Sequence, residues 1–74
     1  MVNACILVKT VPTRIEKVLK DVKRLKGSIK AYVVFGRWDI ASFFEVADYH
    51  EIRSITSTIN SIDGVRSTET LLES

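Results

Sequence analysis

The chain has 74 residues, a formal net charge of +2 and 46% apolar residues. That length holds one domain, and a domain so short buries only roughly 60% of the surface its unfolded chain exposes. The small net charge argues by itself for neither nucleic acid nor membrane, and no apolar run approaches the ~18 residues of a transmembrane helix.

The start, Met1 to Val8, has no basic n-region and reads straight into a strand, so no signal peptide is expected. Asn3 to Thr10 is apolar and β-rich, a first strand, and Pro12 with Thr13 punctuates its end. Thr13 and Glu16 have the spacing of a capping box. Ile15, Val18, Leu19, Val22 and Leu25 then recur at helical spacing, and Lys26-Gly27 supplies a basic last turn and a terminating glycine. The first helix is therefore predicted over Thr13 to Lys26.

Ile29 to Phe35 is the second strand, with Ala31, Val33 and Phe35 on one face and Lys30, Tyr32 and Val34 on the other. Gly36 to Asp39 is a turn, and Ile40 to Val46 the returning strand of an antiparallel hairpin. Asp48, with Glu51 in the first turn, starts a second helix. Tyr49, Ile52, Ile55, Ile59 and Ile62 form its apolar stripe, and Gly64 ends it. Val65 to Leu72 reads as the fourth strand.

The order β-α-β-β-α-β implies an α+β, ferredoxin-like fold: a four-stranded antiparallel sheet with two helices on one face. Right-handed crossovers are expected to place the first and third strands in the centre, side by side and parallel. The strands are apolar on both faces. Cys5 and Leu7 alternate with Ala4, Ile6 and Val8, and Ala41 and Phe43 alternate with Ile40 and Phe44. A sheet with one wet face should show a polar row, so the second face needs a cover, and a second copy of the sheet is the simplest. Small domains usually need such a staple. The single cysteine, Cys5, excludes an internal disulfide, and no Cys/His cluster reads as a zinc site. A lone reduced thiol agrees with a cytoplasmic protein.

Few residues invite chemistry. His50, the only histidine, lies off the apolar stripe and has no nucleophile tied to it. Cys5 reads as a small buried hydrophobe. The nine carboxylates show no acid/base spacing. Arg14, Lys17, Lys20, Lys23, Arg24 and Lys26 make the first helix basic, read as a solvated face or, alternatively, an anion-facing stripe. The strands lack the aromatic pattern of an RNA-binding sheet. Ser67, Thr68, Glu69 and Thr70 interrupt the apolar trend, either as edge protection or as hydroxyls lining a small-molecule site. Gly36-Arg37-Trp38-Asp39 is the strongest oddity. Glycine and aspartate suit a hairpin turn, but a tryptophan there places a large apolar surface where solvent is expected.

Three stretches together resemble the ligand-binding domain of Lrp/AsnC regulators, the RAM domain. They are Ala4 to Lys9, Tyr32 to Asp39 with its Gly-x-aromatic-Asp turn, and Ile62 to Thr70, where Gly-Val precedes a Thr-x-Thr strand. The resemblance implies a homodimer joined through its sheets in a dimeric α/β-barrel-type assembly, and dimers joined into an octameric or decameric ring. It implies a small effector, usually an amino acid, at the seams between dimers. Carried over by position, Gly36, Trp38 and Asp39 line that site, with Thr68 and Thr70 beside them.

Typical members also have a helix-turn-helix, which these residues lack. The expected form is thus a stand-alone, non-enzymatic effector and oligomerisation domain, with no cofactor, metal, membrane or direct nucleic-acid partner. It could sense an effector itself or co-assemble with full-length relatives. The rivals are a dimeric ferredoxin-like enzyme of the monooxygenase or isomerase type and an ACT-like regulatory domain. The enzyme would need an inward His, Asn or Arg on the sheet, and none is expected.

Overall fold

A computed structural model describes residues 1–73. The elements are β1 (Val2–Thr10), a 3-10 turn (Pro12–Arg14), α1 (Ile15–Lys23), β2 (Ser28–Val33), β3 (Ile40–Val46), α2 (Tyr49–Asn60) and β4 (Val65–Glu73). The sheet order is β2-β3-β1-β4, and each neighbouring pair is antiparallel. This is the expected ferredoxin-like α+β fold. The expected centre is right, but its polarity is not: β1 and β3 run antiparallel. The crossover relates β1 to β2, which run in the same direction. The hairpin then returns β3 against both, between them.

The two helix starts contrast. At α2, Asp48 accepts the Glu51 N–H at 3.2 Å, and the Glu51 carboxylate accepts the Ala47 N–H at 2.8 Å. At α1 the predicted capping box does not form; neither Val11 nor Arg14 makes a side-chain cap. Pro12 starts a 3-10 turn instead, closed by the Arg14 N–H on the Val11 carbonyl at 2.8 Å. Proline has a preset φ and no N–H to satisfy, so it suits this first position. Thr13 then falls inside the turn rather than at its cap. The far end of α1 tightens too, with the Leu25 N–H on the Val22 carbonyl at 3.2 Å. The regular helix therefore stops at Lys23, short of the predicted Lys26.

The core lies between the helices and one sheet face. Ile6, Val8, Ile40 and Phe44 from the sheet meet Val18, Val22, Ile52 and Ile59 from the helices, all buried. Each buried branched side chain removes apolar area worth about 1.5–3 kcal/mol. Ser42 is also fully buried, and its hydroxyl donates to the Ile6 carbonyl at 2.7 Å, so it costs little there. Val33, Tyr49 and Phe35 of the expected apolar faces fall outside the core. Tyr49 is 58% exposed at the first residue of α2, and Phe35 is 99% exposed beyond the end of β2.

Alternation leaves Asn3, Cys5, Leu7 and Lys9 of β1 on the face without helices. Register places Phe43 and Ala41 of β3 and Leu71 of β4 beside them. This second face is apolar in the middle, as its sequence requires. Leu71 is 48% exposed, and Tyr32 on β2 is 44% exposed.

Candidate functional site

The hairpin turn is built around Asp39. Its N–H donates to the Val8 carbonyl at 2.9 Å, and its carbonyl accepts the Val34 N–H at 2.9 Å. Its carboxylate Oδ2 accepts the Thr10 N–H at 2.9 Å and lies 3.6 Å from Lys9 Nζ. One residue thus ties the hairpin to β1 and takes over where the β1–β3 ladder ends at Val8 and Ile40. Among the described residues, Asp39 Oδ1 and the N–H groups of Gly36, Arg37 and Trp38 make no hydrogen bond. Gly36 has a φ of +139°, in the left-handed half where side chains are disfavoured, with open space around it. Trp38 is half-buried, and Arg37 is exposed. The turn presents donors, one spare carboxylate oxygen and an indole at the same end of the sheet.

Thr68 and Thr70 sit apart from this group. β1 lies between them and β3, with Thr68 opposite Val8 and Thr70 opposite Ile6. The Thr70 and Thr56 hydroxyls are 3.1 Å apart, and the Thr68 hydroxyl donates to Asn60 Oδ1 at 3.3 Å. Both threonines therefore face α2 and hold it against β4. Within one chain, Gly36, Trp38 and Asp39 come together, and Thr68 and Thr70 do not join them. Sequence reasoning passed over Lys9 and Thr10. The i, i+2 alternation of β1 was the available signal for Lys9; nothing local announced that Thr10 would receive a side-chain acceptor.

Two depressions lie elsewhere. One, of about 360 Å³, opens on the helix-free face with Asn3, Cys5, Ile29, Lys30, Phe43 and Leu71 in its walls. Asn3 there corrects the expectation that the sheet shows no inward asparagine: alternation puts it on the same face as Cys5. Lys30 Nζ lies 5.0 Å from the Phe43 ring centroid. The other, of about 300 Å³, lies beside the start of α2, with Lys26, Asp48, His50 and Glu51 around it. His50 is exposed there. Burial pushes the Cys5 thiol up, which favours the protonated, unreactive form. On α1, Lys17 pairs with Asp21 at 2.9 Å, and in the turn before it Arg14 pairs with Asp63 at 3.5 Å. Among the described residues, no group of three His, Cys, Asp or Glu side chains could hold a metal ion. Among the described residues, no helix is long and apolar enough to cross a membrane.

Known proteins share this architecture. A crystal structure from Thermus thermophilus superposes with a TM-score of 0.95 at 27% identity, over 99% of this chain and 92% of that one. A hypothetical protein from Pyrococcus horikoshii gives 0.89 at 26% identity, over 99% and 89%. AsnC of E. coli gives 0.88 at 22% identity, which shows the shared fold; the match covers 97% of this chain and 50% of AsnC. No curated protein sequence matches at a significant level. The family model of the Lrp/AsnC ligand binding domain matches residues 3–73, nearly the whole chain. The chain belongs to the Lrp/AsnC ligand-binding domain family.

Proposed function

We propose that this domain binds a free amino acid and assembles into a ring, as a non-enzymatic module of cytoplasmic transcriptional regulation. The observation that carries the reading is the Gly36–Asp39 turn on an Lrp/AsnC ligand-binding domain. Its chemistry suits a zwitterion. Asp39 Oδ1 accepts the α-ammonium, and the free N–H groups of Gly36 to Trp38 donate to the α-carboxylate. Trp38 covers the apolar part of the ligand. Thr68 and Thr70 act from behind β1, by fixing α2, and reach an effector directly only if they exchange their present partners.

Two copies cover each other's helix-free sheet faces, and dimers close into a ring of eight or ten chains. Cys5, Leu7, Phe43 and Leu71 supply the apolar centre of that contact. The domain signals by itself or by joining full-length relatives of the family.

A thermal-shift panel of the twenty amino acids tests the reading. A true effector raises stability by about 2.7 kcal/mol at a hundred times its dissociation constant. Trp38→Ala, and Asp39→Asn with its weaker acceptor, should reduce that shift while the unliganded protein stays folded. A flat panel removes the effector role and leaves assembly.

A further inference from the structure

The sheet has two edges, β2 and β4, and they are guarded differently. β4 carries Arg66, Glu69 and Glu73 along its length, all exposed. Charges on an edge discourage pairing with another chain. β2 has one charge, Lys30, and that ammonium lies over the Phe43 ring of its own sheet rather than along the edge. From Ala31 to Phe35 the edge reads Ala-Tyr-Val-Val-Phe, with no charge, proline or glycine.

The free backbone groups of that edge can be assigned. Val34 gives its N–H to the carbonyl of Asp39, the residue before β3. Alternation then turns the N–H and C=O of Tyr32 inward and those of Ala31 and Val33 outward. Two exposed apolar side chains flank this ladder: Ile29, 59% exposed at the bulge of β2, and Phe35, 99% exposed.

We propose that the β2 edge is a pairing site for β2 of a second copy, antiparallel about a two-fold axis at Tyr32. Only outward residues can exchange ladder bonds, so odd must face odd. Centring on Tyr32 sets Ala31 opposite Val33 of the partner subunit, and the reverse. It also sets Phe35 level with Ile29 of the partner subunit, so the two most exposed apolar residues near the edge fall at the same two ends of the contact. Lys30 falls opposite Val34 of the partner subunit rather than another lysine, so like charges do not meet. Because the strand is its own partner, the contact is isologous. It is separate from the helix-free face, so it joins dimers that the face has already formed. The inference does not depend on an effector.

Val33→Pro is the direct test. The Val33 N–H points away from β3, so proline takes no bond from the sheet and blocks the edge. Light scattering should give the wild type the mass of four or more 8.4 kDa chains. Val33→Pro should reduce that mass at least twofold with the circular-dichroism spectrum unchanged. Val33→Lys, which keeps the backbone, should do the same. Amide exchange should show Ala31 and Val33 protected in the wild type and unprotected in Val33→Lys. Two folded variants of wild-type mass would overturn the proposal, as would a wild type whose Ala31 and Val33 amides exchange freely. A wild-type dimer with those amides protected, split to monomers by Val33→Lys, keeps the edge contact and removes the face contact instead.

Discussion

The two edge strands of this sheet come from similar β-rich stretches and end in opposite situations. β4 lies against β1 from Val65 to Glu73, and its polar side chains are in use: Thr68 and Thr70 bond to α2, and Arg66, Glu69 and Glu73 face solvent. β2 is shorter, from Ser28 to Val33, bulged near its start and followed by a hairpin tip with a bare phenylalanine. An edge that is charged, and busy with its own helix, is closed to other chains. An uncharged edge with free backbone groups is open. The turn that precedes each strand, or follows it, shows the same division. Gly64 packs tightly before β4, whereas Gly36 stands in open space after β2.

That division predicts a graded response. The largest loss should come from Gly64→Ala. Its φ is +102°, and a Cβ there would come within 2.6 Å of Arg14 Cβ. The backbone strain alone costs on the order of 1–3 kcal/mol, and the clash adds to it. Gly36→Ala at φ +139° meets nothing within 4 Å, so only the strain applies. Chemical denaturation of both variants checks the difference; equal losses would mean that the β4 side is no tighter.

Asp39→Ala should come next, at about 1–3 kcal/mol, because it leaves the N–H of buried Thr10 without an acceptor. Amide exchange should show the loosening at Thr10 and Val34, with β4 amides little changed. Exchange spread evenly over the sheet would mean that Asp39 is not a local tie. Thr70→Val should cost less, about 0.5–1.5 kcal/mol, through the lost contact with the Thr56 hydroxyl. That loss would appear as frayed α2 amides. Glu69→Val should change stability least, since the residue is exposed. Its readout is mass: removing a guard from β4 should raise self-association by light scattering. An unchanged mass would mean that charge is not what keeps this edge unpaired.

Much of the fold was legible. The period-2 and period-3.6 stretches located all four strands and both helices, since burial on one face imposes those repeats. The α2 start was legible because its cap is local: Asp48 and Glu51 lie within one turn. The α1 start was misread because Thr13-x-x-Glu16 has the right letters, while Pro12 decides the backbone one residue earlier. Of the candidate site, only the contiguous part could be placed from the sequence. Gly36, Trp38 and Asp39 are contiguous in sequence, so the turn keeps them together. Thr68 and Thr70 depend on which strand lies between them and β3 and on which face they take.

What the sequence determined by itself is therefore local and periodic: the elements, the two-sided apolar strands, the hairpin and its unusual turn. Those follow from side-chain spacing and backbone preference within a few residues. Tertiary structure alone decided that β1 and β3 run antiparallel, that Asp39 closes the end of β1, and that the threonines of β4 serve α2. It alone also left β2 as the open edge. Each of these depends on which distant segment lies alongside, and that is settled only when the chain packs.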